Sequence, residues 1–320
     1  MRGTKGRYCD MHTNKPGRMV QYIVISPVRN EAEYLETTIR DMARQTVKPL
    51  RWILVNDGST DSTPKIADRW ASEYRWIVAV HLHSQKRDVS GATHEGQQER
   101  GRRAREAKEI IAFYEGYATL ANVEWDFLVK LDGDVGLQPD YFERCFQEFE
   151  RDPKLGIGGG DICNFIDGEW RVEENPRFHV RGATKIYRRA CWDDIGGVER
   201  GAGWDTLDEV KANMKGWSTR SFPGLQVAHY RYTGAANGSW QNAVKKGEWN
   251  YISGYHPLFM AMKCVKRIAQ KPLVTGSAGL LCGYLLALFR RVPQVDDKKL
   301  IRYIKQQQLR RLTFRSTIWK

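Results

Sequence analysis

Short, β-branched runs that each stop at a turn constrain this chain more than any other feature. Tyr22-Ile23-Val24-Ile25-Ser26 is bounded by Pro27, and Arg51-Trp52-Ile53-Leu54-Val55 ends in Asn56-Asp57-Gly58-Ser59-Thr60-Asp61. A third run lies near 77–82, and a fourth, Trp125 to Leu131, leads into Asp132-Gly133-Asp134. Runs this short and this apolar suit strands buried on both faces, as in parallel sheets. Helical periodicity fills the gaps over 31–43, about 62–73, near 105–121 and over 139–150. The second of these has Asp61 or Ser62 as its cap and Pro64 in its first turn. The alternation predicts an α/β fold, a Rossmann-like and mostly parallel sheet flanked by helices.

The rest of the chain is less regular. A glycine run at 158–160 precedes an expected hairpin around 165–180, helices near 187–195 and 205–215, and a strand pair around 219–232. Helices are expected from there to the end. The net charge of +13 is concentrated at the ends: residues 261–320 hold 14 Lys/Arg against 2 Asp/Glu, and residues 1–19 hold 5 against 1. The span between them is slightly acidic. A basic helical extension on an acidic body points to an anionic partner, a membrane surface or a nucleic acid. Within the extension, Leu273 to Phe289 is apolar and is flanked by Lys271 and Arg290-Arg291. Its 17 residues fall short of an ordinary bilayer span. It reads equally as an interfacial helix and as a buried core helix. The six cysteines form no CxxC pair and no zinc spacing, so reduced thiols and a cytoplasmic setting are expected. Residues 1–19 lack the apolar stretch of a signal peptide and are expected to form a flexible basic tail.

In open parallel sheets, ligands bind beyond the carboxyl ends of the strands. Asp57, Asp132 and Asp134 all fall there. Two carboxylates separated by one glycine can turn toward a single point. Mg²⁺ or Mn²⁺ takes one or two carboxylates together with substrate phosphates. Asp-Gly is also common in plain turns, so this pair is informative chiefly through the motifs around it.

Those motifs are Ile25-Ser26-Pro27-Val28-Arg29-Asn30-Glu31, Val55-Asn56-Asp57-Gly58-Ser59-Thr60-Asp61, Leu131-Asp132-Gly133-Asp134, Arg181-Gly182-Ala183, Ile195-Gly196-Gly197 and Gly203-Trp204-Asp205. In this order, over about 20–232, the chain resembles the family 2 glycosyltransferases of the GT-A fold. The resemblance implies an inverting glycosyltransferase of hexosyltransferase type that uses a nucleotide-diphosphate sugar, with a UDP-sugar favoured. Pro27, Arg29, Glu31, Asp57 and Asp132 would bind the donor. Asp134, with Asp132 and His229, would hold Mg²⁺ or Mn²⁺. Asp205 would be the catalytic base, at the spacing expected before Gly216-Trp217. Trp204 stands where the family has an acid, so Asp208 and Glu209, one turn on, are alternates. The implied organisation is a GT-A domain over 20–240, with a donor half at about 20–135 and an acceptor half at about 136–240. A basic, membrane-associating helical region follows at 241–320. The acceptor would be a glycan or a lipid-linked hydroxyl in cell-surface or extracellular polysaccharide synthesis. The protein would sit peripherally on the inner face of the cell membrane.

Other features carry less. The polar span 83–104 is expected to be a lid over the donor, with Arg102, Arg103 and Arg105 nearby. His81 and His83 lack a third ligand and read as structural. Gly156-Ile157-Gly158-Gly159-Gly160-Asp161 does not fit the dinucleotide pattern. Gln308-Leu309-Arg310-Arg311-Leu312 lacks the Trp of a processive synthase motif. A sugar-nucleotide-forming nucleotidyltransferase would need glycines after the first strand, which are missing. A nucleic-acid-binding module would explain the basic extension but not three strand-end carboxylates, and no nucleic acid partner is expected.

Overall fold

A computed structural model describes residues 19–82, 108–166, 168–201, 203–231, 239–268 and 274–319. The expected lid at 83–104, its arginines, His83 and nearly all of the expected tail lie outside the described residues.

The first half alternates strand and helix as its periodicities require. β1 (Tyr22–Val28), β2 (Arg51–Asp57), β3 (Ile77–Leu82) and β4 (Phe127–Leu131) form the parallel run β3-β2-β1-β4. α1 (Leu35–Arg44), α2 (Thr63–Glu73), α3 (Lys108–Ala118) and α4 (Tyr141–Arg151) cover its faces. β1 is central and feeds two cores. Tyr22, Val24 and Val28 pack with α1 and α4, whereas Ile23 and Ile25 pack with α3. Burial on both faces is why the run shows no polar alternation. Each fully buried side chain of this kind contributes roughly 1.5–3 kcal/mol.

The second half continues the same sheet with mixed pairing. Its strands are β5 (Val135–Gly136), β6 (Leu155–Ile166), β7 (Glu169–Val172), β8 (Thr184–Arg188) and β9 (Ser218–His229). The full order is β3-β2-β1-β4-β8-β6-β9-β5, with β7 hairpinned onto β6. Two local expectations are corrected. Residues 184–188 are strand, and the helix expected near 187–195 begins only at α5 (Arg189–Ile195). The strand pair expected at 219–232 is a single strand, β9, bulged where the register moves from Gly160↔Phe222 to Asp161↔Gln226. The glycine run lies within β6, where neighbours leave no room for side chains: a Cβ on Gly159 would lie 2.3 Å from the Thr184 carbonyl oxygen, and one on Gly160 2.2 Å from that of Leu225.

α6 (Trp204–Met214) precedes β9, and the chain then runs through α7 (Ser239–Ile252), α8 (Pro257–Arg267), α9 (Thr275–Phe289) and α10 (Lys298–Leu312). The extension is not a detached tail. Leu300 and Ile304 of α10 join Leu207 and Val210 of α6, with Phe178 and Trp319, in one buried cluster. α7 and α9 cross at small residues: a Cβ on Gly247 would meet the Leu280 carbonyl oxygen at 2.0 Å, and one on Gly283 that of Val244 at 1.9 Å. α9 buries Leu280 and Tyr284 while Leu285, Leu288 and Phe289 face outward. One face of this segment is therefore core, as one of the two sequence readings has it, and the other is exposed and apolar. Among the described residues, no helix is long and apolar enough to cross a membrane.

Candidate active site

The loops after β1 and β2 are tied to each other. The Asn30 backbone, at φ 54°, turns its side chain so that Oδ1 accepts from the Thr60 N–H at 2.8 Å. Ser59 Oγ accepts from the Asn30 N–H, and Thr63 Oγ1 from the Glu31 N–H. Arg29 donates to Asp57 at 3.3 Å, and Pro27, half-buried, pairs in register with Val55. Pro27, Arg29, Glu31 and Asp57 are thus gathered at one end of the sheet.

The Asp132-Gly133-Asp134 turn lies beside these loops. Thr38 Oγ1 donates to the carbonyls of Gly133 and Val135 and fixes the turn against α1. Gly133 is needed because a Cβ there would sit 2.8 Å from Val28 Cγ1. The pairing Val135↔His229 brings the end of β9 beside Asp134, and Asn164↔His229 brings β6 behind it. Ligand atoms of Asp132, Asp134 and His229 all lie within 4.8 Å of one another. His229 Nε2 is 3.4 Å from Asp134 Oδ1, and its Nδ1 is 3.2 Å from Asn164 Oδ1. With Nδ1 protonated toward Asn164, Nε2 presents its lone pair to the cluster, the usual way an outer partner orients a metal-ligating histidine. Asp134 and His229 are each 6% exposed.

The field at this point is negative. Burial, then the charge of Asp134, pushes the Glu31 carboxyl up to about 8, against the pull of Arg231, with Asp132 adding to the rise. Burial disfavours a charged His229, but the hydrogen bond and charge of Asp134 outweigh it and raise its pKa. Two carboxylates and an oriented imidazole fit a divalent cation, and such an ion would relieve this crowding.

Asp205 stands in the first turn of α6, which starts after Gly203 at φ 80°. Pairing of Leu131 with Thr184, and of the Asp132 N–H with the Ala183 carbonyl, lays Arg181-Gly182-Ala183 along the acidic turn. Arg181 Nη1 then lies 3.6 Å from Asp205 Oδ2, while its Nε donates to Glu173 at 2.9 Å. Burial alone would raise the Asp205 carboxyl. The charges of His179, Lys185, Arg181 and Lys130 prevail and hold it below the ordinary range, so it is a carboxylate at neutral pH.

Trp204 is not a simple loss of an acid. Its indole N–H donates to Glu109 of α3 at 2.9 Å. Two buried cations that are cross-strand neighbours lie near its ring, Lys130 Nζ at 5.3 Å and Lys185 Nζ at 5.4 Å from the centroid. Lys130 in turn donates to Asp132. A carboxylate from another element, Glu109, therefore stands beside the position where the sequence lacks one. Glu109, Lys130 and Lys185 are not signalled by any motif, because only tertiary pairing brings them here. Arg181 could have been found, since it lies in a quoted motif.

The two alternates lie elsewhere in chemical terms. Asp208 and Glu209 are 1% and 0% exposed. Lys185 Nζ contacts them at 3.1 and 2.9 Å, Tyr187 donates to Asp208, and Glu209 accepts from the Val180 N–H and contacts His179. His81 is structural, bonded to Asn56 and Asp68. The cavity of about 850 Å³ beside Arg177 and Arg220 touches none of the strand-end carboxylates.

Residues 23–99 match the family model described as Glycosyl transferase family 2. A putative glycosyltransferase of Bacillus subtilis (strain 168) is 26% identical over 185 residues, covering 56% of this chain and 44% of that protein. The hyaluronan synthase of Pasteurella multocida is 27% identical over 146 residues, covering 46% of this chain and 12% of the synthase. The chain thus spans less than half the length of either curated relative. Among solved structures, a mannosyltransferase from Pyrobaculum calidifontis in complex with GDP-Man and Mn²⁺ aligns with a TM-score of 0.51 at 15% identity, over 93% of this chain and 86% of that one. The fold is GT-A, and the resemblance to family 2 glycosyltransferases is borne out.

Proposed function

We propose that this protein transfers a hexose from a nucleoside-diphosphate sugar to an acceptor hydroxyl, with inversion at the anomeric carbon. The observation that carries the reading is the convergence of Asp132 and Asp134, from the turn after β4, with His229, from the end of β9, within 4.8 Å. In this reading the β1 and β2 loops, through Pro27, Arg29, Glu31 and Asp57, hold the donor nucleotide. Asp132 contacts the donor's sugar side, and Asp134 and His229 hold the cation with it. The imidazole favours Mn²⁺ over Mg²⁺. Bound there, a divalent cation would neutralise charge on the departing diphosphate.

Asp205 takes the proton from the acceptor hydroxyl. The acceptor oxygen bonds to the anomeric carbon as the bond to the diphosphate breaks, and the diphosphate leaves with that electron pair. The charges of His179, Lys185, Arg181 and Lys130 keep the base ionised. The nearly complete burial of Asp208 and Glu209 against Lys185 argues for Asp205 over either alternate.

Likeness to a hyaluronan synthase supports a role in polysaccharide synthesis on a glycan or lipid-linked acceptor. The uridine donor expected from sequence is best tested beside guanosine donors, since the structurally similar mannosyltransferase was solved with GDP-Man. The outward apolar faces of α8 and α9, with Lys266, Arg290 and Arg291, support peripheral docking on an anionic cytoplasmic membrane face.

The test is sugar transfer and donor hydrolysis with UDP- and GDP-sugars. Chelation by EDTA should abolish turnover, Mn²⁺ should restore it, and Asp205→Asn should lower kcat by roughly 10²–10⁴-fold. Near-normal turnover after both treatments would overturn the reading. For docking, flotation should recover the protein with liposomes containing anionic lipid and not with neutral ones; recovery with neither would remove that part.

A further inference from the structure

A small cavity of about 140 Å³ opens where the start of α6 meets α7 and α8. Asp205 lines it, together with Lys246 of α7 and Lys263 and Arg267 of α8. The extension is pressed close here: a Cβ on Gly203 would lie 2.3 Å from Ser253 Oγ. Such a volume is well below the ~300–1,000 Å³ of clefts that hold whole small molecules. It suits one functional group of a larger ligand.

The charge in this cavity is unbalanced. Asp205 is its only carboxylate among the described lining residues, against three cations. Among the described residues no carboxylate forms an ion pair with Lys246, Lys263 or Arg267. Lys263 donates to Asn250 Oδ1 at 3.4 Å and lies 5.0 Å from the Tyr255 ring centroid. Burial, then repulsion from Arg267 and Lys246, brings the Lys263 ammonium down to about 8. Lys246 is lowered too, by burial and then by Arg267 and Arg181. Lys263 and Arg267 are half-buried and Lys246 is exposed, so three like charges converge here, an arrangement that an anion would stabilise. One carboxylate would leave the group positive, whereas a phosphate monoester carries about −1.5 to −2 at neutral pH.

We propose that Lys246, Lys263 and Arg267 form an oxyanion subsite for a phosphate group carried by the acceptor, beside Asp205. The proposal rests on the sugar-transfer reading and gives its acceptor a chemical class. The cavity is walled by the base and not by Asp132, Asp134 or His229, which separates it from the donor's diphosphate. α8 also turns Leu258, Met262 and Val265 outward. A lipid phosphate would find its head-group partners and apolar surface on one helix.

Calorimetry on the full chain tests this with farnesyl phosphate and glucose 6-phosphate, and with farnesol and glucose as uncharged counterparts. At least one phosphate probe should bind about tenfold or more tighter than its counterpart, as for a charge-assisted contact. The double variant Lys263→Gln/Arg267→Gln should lose that gain, and Lys263→Arg should keep it. Mn²⁺-dependent nucleoside diphosphate binding, the control for folding and for the donor site, should be unchanged in both variants. Preference for farnesyl phosphate assigns a lipid source, and equal binding of both phosphates assigns the oxyanion alone. Equal binding of charged and uncharged probes would overturn the subsite. So would a parallel loss of nucleoside diphosphate affinity in the double variant, because the cations would then serve the donor. Failure of the sugar-transfer reading would instead show as absent nucleotide binding in the unaltered protein, whatever the phosphate probes do.

Discussion

Asp132 and Asp134 end a strand with one glycine between them, and Asp208 and Glu209 lie side by side in a helix behind Trp204. All four are carboxylates placed by the same sheet. Lys185 makes the difference. It enters from β8 and, fully buried, contacts both Asp208 and Glu209, so that pair is closed by the protein itself. Lys130 pairs with Asp132 and Glu109 but not with Asp134, which faces His229 and the crowded Glu31. Asp208 and Glu209 are neutralised within the fold, whereas Asp134 has no lysine or arginine ion pair among the described residues. Carboxylate count alone could not have separated them; the position of one lysine does.

The comparison breaks most visibly at Lys185. Lys185→Met leaves two buried carboxylates without their cation and should cost about 3–5 kcal/mol of folding stability, read by urea denaturation. The deficit should shrink as pH falls. Asp208 is already pushed up to about 6, by burial, with Lys185 pulling it back and Glu209 pushing it further. A carboxyl whose folded pKa is raised binds its proton more tightly when folded, so its ionisation weakens the fold as pH climbs past the unfolded value. A deficit equal at about pH 5 and pH 8 would mean that the pair is not charged in the way described.

A smaller effect sharpens the contrast on the side of the base. Arg181 is one of the charges holding Asp205 below the usual carboxylate range. Arg181→Gln removes it, so the Asp205 pKa rises and the acid limb of kcat/KM moves to higher pH. An unmoved limb would assign that limb to another group.

Much of the first half of the sheet was legible in the sequence. The strands at 22–28, 51–57, 77–82 and 127–131 show themselves because burial on both faces makes their runs uniformly apolar. Asp57, Asp132 and Asp134 follow from where those strands end. The second half was less legible, for two physical reasons. β8 mixes Thr184 and Lys185 with Ile186 and Tyr187, because its buried lysine serves an ion network, and so it does not read as an apolar strand. The β6 glycines carry no strand propensity and are there only because Thr184 and Leu225 crowd them. Glu109 lies far along the chain from Trp204 and meets it only through the fold. The sequence question raised by Trp204 thus has its answer in a different helix.

The most direct test of the account is calorimetric binding of a nucleoside diphosphate, UDP and GDP in turn, with and without Mn²⁺, to the unaltered protein and to Asp134→Ala. The account predicts binding that needs Mn²⁺ and that the substitution weakens by about tenfold or more, the loss expected when a metal site is disturbed. Equal affinity with and without the ion, or in the presence and absence of the Asp134 carboxylate, would contradict the claim that Asp132, Asp134 and His229 form the donor's metal centre.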